Sequence, residues 1–232
     1  MALSSGLWAG LGLFMTNATE AAAPVVIELF TSQGCSSCPP ADALLGEFSK
    51  QPDIIALAFH VDYWDDLGWR DRFSLPEAVQ RQRGYVQRLS ESGAFTPQSV
   101  VNGRRSFIGS DRRAIAAALA GERTTVPVKL SVSEGQLTID LVEQTDRQPY
   151  EMNVVAYLPE ASTPIERGEN ARRTLHEFNI VRAFTRLGVW TGDSSNRTLP
   201  LSSLPSDASR VAVLLQQPGQ GRIVGAASIA VR

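Results

Sequence analysis

Cysteine, histidine and long apolar runs are scarce in this sequence. Its 232 residues include two cysteines and two histidines, which could supply at most one closed zinc site, because such a site takes about four ligands. Beyond Ala23, no apolar run reaches the ~20 residues that a helix needs to cross a bilayer. The net charge of −2 excludes a bulk electrostatic attraction to nucleic acid or to acidic membranes. The composition, 43% hydrophobic and 20% charged, is that of an ordinary globular protein with room for two small domains or one large one.

The two cysteines stand close together in the run Cys35-Ser36-Ser37-Cys38. A strand-like apolar segment precedes them at residues 25–30, and a helix-like segment follows at residues 41–48. Thioredoxin-like proteins carry a redox dithiol at such a junction. Unpaired N–H groups and the dipole at a helix N-terminus stabilise a thiolate. The pattern therefore predicts that Cys35 attacks a substrate and that Cys38 resolves the mixed disulfide.

Two other interpretations of the cysteine pair stay open at this point. A structural disulfide across so short a loop would remove little entropy from the unfolded chain, roughly 2 kcal/mol, and a chain of this length can build its own core. A metal site is the other alternative. Soft thiolates with an imidazole suit copper, and Cys35, Cys38 and His60 could supply them, although nothing in the spacing requires it.

The first 23 residues have the pattern of a secretory signal peptide. Residues 7–15 are apolar, and residues 18–23 are rich in alanine, as expected before a cleavage site of the Ala-x-Ala type. The alternative is an ordinary buried helix. The signal predicts a periplasmic or secreted protein with no membrane contact after cleavage. Export would place the dithiol in an oxidising compartment, where disulfides persist unless a reductant is supplied.

The pattern of predicted helices and strands changes near residue 123. From residue 24 to residue 122 the segments follow the order strand, helix, strand, helix, hairpin, helix, which is the thioredoxin order. From residue 123 to residue 232 the sequence predicts strands and no amphipathic helix. We therefore expect an α/β thioredoxin-like domain at residues 24–122, followed by an all-β domain at residues 123–232, an antiparallel sandwich of about seven strands.

Glu28 is an acid inside an apolar strand run. If it faces the core behind Cys38, burial would raise its pKa and suit it to move the proton of the resolving thiol. The alternative is that Glu28 lies on an exposed face of the strand.

A cluster of polar and aromatic residues ends the second predicted strand. His60, Asp62, Tyr63 and Trp64 follow a continuous apolar run. In open α/β sheets the carboxyl ends of strands border the ligand crevice, so these residues are predicted to form a substrate-binding wall beside Cys35. The alternative is structural, with the aromatic residues seating an inserted loop.

Several motifs are similar to those of the secreted, thioredoxin-like family labelled domain of unknown function 1223. They are residues 28–42, 60–65, 67–69, 96–98 and 101–103, and a late stretch that runs from residue 168 through Val181 to residue 188. The resemblance implies a thioredoxin-like fold with a β-rich C-terminal portion, and it implies no established reaction.

Thr96-Pro97 precedes the predicted hairpin. In thioredoxin-like folds a cis-proline at this point lies against the cysteines and lets the neighbouring backbone bind a substrate chain. The resemblance therefore implies a cis bond at Pro97 and a substrate-binding role for Thr96 and Pro97. The alternative is a plain proline in a turn or at the start of a strand.

Three functions are compatible with these patterns. The first is a thiol–disulfide oxidoreductase that acts on a protein or small-molecule disulfide, with a separate redox partner and no cofactor. The second is a non-enzymatic module in which the β-rich part binds a partner. The third is the handling of copper or zinc through the cysteine pair.

Overall fold

The computed structural model describes residues 23–121 and 123–232, so residues 1–22 of the predicted signal peptide lie outside the described residues. Fourteen helices and strands and one short 3-10 helix form the described fold. In chain order they are β1 (Val25–Thr31), α1 (Pro39–Phe48), β2 (Ile54–His60), α2 (Pro76–Arg88), β3 (Gln98–Val101), β4 (Arg105–Ile108), α3 (Arg112–Leu119), β5 (Val128–Ser133), β6 (Gln136–Leu141), β7 (Tyr150–Pro164), β8 (Thr174–Trp190), β9 (Ser195–Pro200), the 3-10 helix Leu201–Ser203, β10 (Arg210–Gln216) and β11 (Ile223–Ala230).

The first half of the chain has the predicted order of strands and helices. β1 and β2 are parallel, and their last paired residues are Thr31 and His60. β3 runs antiparallel to β1, and β4 pairs with β3. Every residue of β1 is buried, as expected for a parallel strand that is covered on both faces. The carboxyl ends of β1 and β2 therefore meet at one edge of the sheet, where the cysteine loop begins.

The second half of the chain extends the same sheet instead of forming a wholly separate domain. The large sheet has eight strands in the order β11-β10-β7-β8-β2-β1-β3-β4. β8 pairs in parallel with β2, in a register that joins Ala58 with Ile180. The expectation of an independent all-β sandwich is corrected in this respect. The physical reason is that β2, which is apolar on both faces, would otherwise leave an open edge.

A sandwich does form within the second half, although one of its two sheets is shared. β5, β6 and β9 make a separate antiparallel sheet. Leu137 and Ile139 on β6 pack with Val154 on β7 and Val213 on β10 in one buried cluster. The alternating pattern that predicted strands here is therefore the pattern of a sheet with one face on a core.

The helices cover the large sheet on two different faces. α1 and α3 pack on the face of β1 that carries Ile27 and Leu29, whereas α2 packs on the face that carries Val26 and Phe30. α1 also reaches across the join between the two halves. A Cβ atom on Gly46 would lie 2.4 Å from the ring of Phe178 on β8, so only glycine permits this close approach.

Candidate functional site

The cysteine loop connects the end of β1 to the start of α1. Cys35 and Cys38 are joined in a disulfide. The backbone N–H of Cys38 donates to the carbonyl of Cys35 at 3.2 Å, and Cys38 is the residue that precedes the first helical turn. Both cysteines are buried, with 1% and 0% of their surface exposed, whereas Ser36 and Ser37 between them are exposed. The pair lies where the sequence predicts it, but it is covered.

An acid lies one helical turn after Cys38, on the same side of α1. Residues four apart in a helix share a face, and the backbone N–H of Asp42 donates to the carbonyl of Cys38 at 3.1 Å. Asp42 is 5% exposed, and the hydroxyl of Thr31 donates to its Oδ1 at 2.8 Å. Burial raises the pKa of Asp42 to about 7, against the opposing charge of His60 and the hydrogen bond from Thr31. Asp42 is therefore a carboxyl group that can take up or release a proton at neutral pH.

Four residues form a buried polar cluster beneath the cysteine loop, namely Gln33, His60, Asp71 and Glu177. His60 Nδ1 lies 2.7 Å from Asp71 Oδ2, and His60 Nε2 lies 3.9 Å from Glu177 Oε1. The backbone N–H of Gln33 donates to Asp71 at 2.8 Å, and its side-chain amide donates to Glu177 at 2.9 Å. The cluster therefore ties the cysteine loop to both halves of the chain.

The charges of this buried polar cluster depend on one another. Burial alone would lower the pKa of His60, but the carboxylate of Asp71, followed by Glu177 and Asp42, raises it to about 9. Burial alone would raise the pKa of Asp71, but the charge of His60 and the hydrogen bond with it outweigh burial, so the pKa of Asp71 is lowered. The pKa of Glu177 is raised by burial. At neutral pH the imidazolium of His60 is thus held against the carboxylate of Asp71, below the disulfide.

The tip of the β7–β8 hairpin, residues 165–173, belongs to the second half of the chain and forms hydrogen bonds with the cysteine loop. Asn170 is fully buried, and its Nδ2 donates to the carbonyls of Gln33 and Cys35, each at 3.0 Å. The carboxylate of Glu169 accepts the backbone N–H of Ser36 at 3.2 Å. The second half of the chain therefore helps to build the site.

Trp64 joins the cysteine loop to the turn before β3. Its Cβ lies 3.0 Å from the position that a Cβ on Gly34 would take, and its indole N–H donates to Thr96 Oγ1 at 2.8 Å. The Thr96–Pro97 bond is cis, as predicted. A Cβ atom on Gly109 would lie 2.8 Å from Pro97 Cβ and 3.1 Å from Ala41 Cβ. Ala41 is in the first turn of α1, so Pro97 and that turn are neighbours. The structure thus brings Trp64, Thr96 and Pro97 to the cysteine end of the sheet.

The other residues of the predicted substrate wall have different environments. Asp62 and Tyr63 lie on the surface, and Tyr63 donates to Gln82 Oε1 at 3.2 Å. His60 is only 1% exposed, so it lies in the floor of the site and not in its wall. The reason is that His60 is the last residue of β2, and its side chain is held inward by Asp71.

Glu28 is buried as predicted, but not behind Cys38. It shares the face of β1 that packs on α2, which is opposite to the face covered by α1. Its two carboxylate oxygens accept Arg81 Nε at 2.5 Å and Arg81 Nη2 at 3.0 Å, and the Tyr85 hydroxyl also donates to it. Glu28 is therefore one half of a buried ion pair with Arg81, and its role towards the proton of Cys38 stays a prediction.

Asp42, Gln33, Glu177 and Asn170 were missed as site residues from the sequence. A signal existed for Asp42, because an acid in the apolar run at residues 41–45 stands four residues after Cys38. Asn170 lies 135 residues from Cys35, and no local pattern indicates such a contact. The motif at residues 168–170 is the one sequence feature that includes it.

The described residues contain neither a candidate metal cluster nor a candidate membrane-spanning helix. In residues 23–121 and 123–232, no group of three or more histidine, cysteine, aspartate or glutamate side chains could hold a metal ion, and Cys35, Cys38 and His60 do not form such a group. Within the same ranges, no helix combines the length and the apolar character that crossing a membrane requires.

Comparisons with known proteins identify one family model and two similar solved structures. The model of the family described as "Protein of unknown function (DUF1223)" matches residues 26–216. The crystal structure of protein AGR_C_4864 from Agrobacterium tumefaciens is similar, with a TM-score of 0.79, 32% identity, and coverage of 90% of this chain and 94% of that chain. HBP35 of Porphyromonas gingivalis has a TM-score of 0.63 at 16% identity, covering 90% of this chain and 75% of that chain, and shows similarity of fold alone. A search of curated proteins found no match. Because the family model matches most of its length, this chain belongs to the DUF1223 family of proteins of unknown function.

Proposed function

We propose that this protein is a thioredoxin-like thiol–disulfide oxidoreductase that acts in the periplasm or outside the cell. The observation that carries the proposal is the Cys35–Cys38 disulfide at the start of α1, with the buried acid Asp42 one turn below Cys38. Its substrate would be a disulfide or dithiol in a protein or small molecule, and no cofactor is required. The pattern of a signal peptide at residues 1–23 supports export.

The arrangement of strands supports the thioredoxin-like part of the proposal. β2, β1, β3 and β4 lie side by side, with β1 and β2 parallel and β3 and β4 antiparallel to their neighbours. The cysteine loop follows β1, and the cis bond before Pro97 precedes β3. This order of elements is the one that the sequence predicted from the thioredoxin pattern.

The exchange balances atoms and electrons in two steps. The Cys35 thiolate attacks a substrate disulfide, a Cys35–substrate disulfide forms, and the first substrate sulfur leaves as a thiolate. Cys38 then gives its proton to the Asp42 carboxylate and attacks the sulfur of Cys35, so that the second substrate sulfur leaves. The substrate gains two electrons and the cysteine pair loses two. An external dithiol, the redox partner, would restore the reduced pair by the same exchange.

At the N-terminus of α1 the helix dipole, and not the backbone N–H groups of residues 39–42, would favour a sulfur anion. Pro39 and Pro40 occupy the first helical positions, where a backbone N–H has no helical partner in any case. The N–H groups of Ala41 and Asp42 are directed to the Cys38 carbonyl. The helix dipole still favours a negative charge at Cys35 and Cys38.

Substitution of each cysteine tests the proposed function. We expect reduced wild-type protein to reduce insulin or glutathione disulfide, and we expect Cys35→Ser to abolish that activity, because no attacking thiolate remains. Cys38→Ser should keep the first step and accumulate a mixed disulfide with the substrate, visible as an added mass. Ser36→Ala, which changes an exposed residue of the same loop, is the control. Activity of Cys35→Ser equal to wild type would contradict the proposal.

The burial of both sulfurs requires that the covering segments move before a substrate reaches Cys35. Asn170 holds the backbone of the cysteine loop through two hydrogen bonds, each worth about 1 kcal/mol. We therefore expect Asn170→Ala to raise the rate at which dithiothreitol reduces the disulfide by about 30-fold, the factor that corresponds to about 2 kcal/mol, since local opening becomes more frequent. The rate is measured by alkylation of the released thiols and mass spectrometry.

Asn196→Ala is the matched control for this prediction. Asn196 is exposed on β9 and donates to Asp140, remote from the cysteine loop, so its loss should leave the reduction rate unchanged. An unchanged rate in Asn170→Ala would show that the hairpin tip does not control access to the disulfide.

A further inference from the structure

A cavity lies at the end of the sheet that is opposite to the disulfide. The cysteine loop follows the last residues of β1, whereas the cavity is lined by Pro24 and Ile54, at the starts of β1 and β2. The segment at residues 124–128 and residues 226–228 of β11 close its other sides. Its volume is about 870 Å³, within the range of pockets that hold small organic ligands.

The cavity follows from the way in which the sheet curls. The N–H groups of Thr125 and Val126 donate to the carbonyl of Val224 on β11, at 2.6 and 2.8 Å, which brings the far edge of the sheet round toward its centre. At the same end the register of β2 with β8 pairs no residue before Ala58, and the side chain of Asn179 donates to the carbonyl of Ala56 at 2.9 Å. The cavity lies between the two halves there, with Ala56 and Asn179 in its lining.

Arg210 is the single charged residue among those that line the cavity in the described chain. Its Nε donates to the Tyr157 hydroxyl at 3.0 Å, and its Nη2 lies 3.4 Å from Ser228 Oγ. Both partners are neutral. Among residues 23–121 and 123–232, no carboxylate lies within ion-pair distance of Arg210, although Arg182, Arg186 and other arginines of the same half have such partners.

The guanidinium of Arg210 is half-buried in the wall of an open cavity of mixed polarity. Its two hydroxyl partners supply no negative charge, so it can form a charge-assisted hydrogen bond with an anion in the cavity. Ile54, Ile55, Val126 and Val128 supply apolar walls. The hydroxyl groups of Tyr157 and Ser228 lie 2.6 Å apart, so they hold the arginine side chain in place beside the space.

We propose that this cavity binds a small amphipathic anion, a carboxylate or comparable single negative charge on an aliphatic or aromatic body. Arg210 pairs with the anionic group, the Tyr157 and Ser228 hydroxyls orient that arginine, and the apolar walls contact the body of the ligand. This binding site is separate from the disulfide and does not depend on the redox function.

Two fluorescent probes of the same shape test the role of the charge. 8-Anilinonaphthalene-1-sulfonate carries an anion, and N-phenyl-1-naphthylamine has the same aromatic body without it. We expect the full-length wild-type protein to bind the sulfonate more tightly than the neutral probe. Arg210→Gln should weaken sulfonate binding by about tenfold, as for the loss of one charge-assisted hydrogen-bonded pair, and should leave the neutral probe unaffected.

Two variants and one competition experiment complete the test. Arg210→Lys should retain most of the affinity for the sulfonate, and Arg197→Gln, which removes the same charge from an exposed position on β9, should change nothing. In the wild type, decanoate should displace the sulfonate and decanol should displace it less well, which tests the proposal even if Arg210→Gln fails to fold. Equal affinity for the charged and neutral probes, or equal sulfonate binding by wild type and Arg210→Gln, would overturn the proposal, as would the absence of binding.

Discussion

Asp42→Asn is expected to slow the resolution of the Cys35–substrate disulfide by about 10²-fold or more at pH 7, the usual size of a lost general base. Asparagine has nearly the same shape and can still accept the hydrogen bond from Thr31, but it cannot take the proton of Cys38. The measurement is single-turnover release of product from the preformed mixed disulfide. The first step, attack by Cys35, should keep its rate.

The pH dependence of the same step gives a second readout. Asp42 accepts a proton only when it is ionised, and burial raises its pKa to about 7. In the wild type the resolution rate should therefore rise with pH up to about 7 and then level off. In Asp42→Asn the rate should keep rising to the higher pH at which the Cys38 thiol ionises unaided, since an ordinary cysteine has a pKa of about 8.5 and burial raises it.

The stability of Asp42→Asn distinguishes a slower resolution step from damage to the fold. The pKa of Asp42 in the folded chain lies above its usual 3.8, so the folded state binds the proton more tightly and loses stability as pH rises toward 7. Replacing this acid by asparagine removes that cost, and the variant should be at least as stable as the wild type at pH 7. Asp66→Asn, a change at an exposed acid outside the predicted site, is the control. A wild-type rate and pH profile in Asp42→Asn would show that another group takes the proton.

Glu28→Gln is expected to lower the free energy of unfolding by about 3 kcal/mol, because it leaves the buried guanidinium of Arg81 without its countercharge. Arg81 is 3% exposed and Glu28 is fully buried. Glutamine can accept hydrogen bonds from Arg81 but supplies no charge. Urea unfolding of the oxidised protein, followed by circular dichroism, measures the loss.

The exposed pair of Glu47 and Arg112 is the matched control for this loss. It has the same two-point geometry, with both contacts at 2.7 Å, but both side chains are more than half exposed. Glu47→Gln should therefore have little effect on stability. The folded fraction of Glu28→Gln should resolve the mixed disulfide at the wild-type rate. If it were instead as slow as Asp42→Asn, Glu28 would be the proton acceptor after all.

Much of the disulfide end of the fold could be predicted because its signals are local. The apolar run of β1, the cysteine spacing and the prolines at the start of α1 lie within one short stretch of sequence. The cis bond at Pro97 was predicted from its place before β3. Each of these features depends on neighbours along the chain or on a recurrent order of elements.

Glu28 illustrates a limit of strand periodicity. Alternation shows that Val26, Glu28 and Phe30 share one face of β1. It does not show which helix covers that face. The carboxylate lies against α2 because the two helices that flank β2 in sequence pack on opposite faces of the sheet, so an acid near the cysteines in sequence lies away from them in space.

The extent of the sheet could not be predicted either. Strands of the second half have patterns that fit an antiparallel sheet, and β7 and β10 do pair in that way. The pattern of a strand contains no information about which other strand lies at its edge. The parallel pairing of β8 with β2, and with it the contact of Asn170 with Cys35, is a property of the packed chain as a whole.

The join between β2 and β8 has a mechanical consequence. A sheet held by a continuous ladder of backbone hydrogen bonds resists shear along its full length, but here the register links Ala58 with Ile180 alone. Side chains brace the join elsewhere. Gln33 and Asn170 do so beside the disulfide, and Arg81 does so through Gln216 on β10. Apolar packing also spans the join, because Phe59 on β2 and Val181 on β8 belong to one core cluster. Among the polar contacts, those nearest the disulfide belong to the segments that must move apart before a substrate can enter.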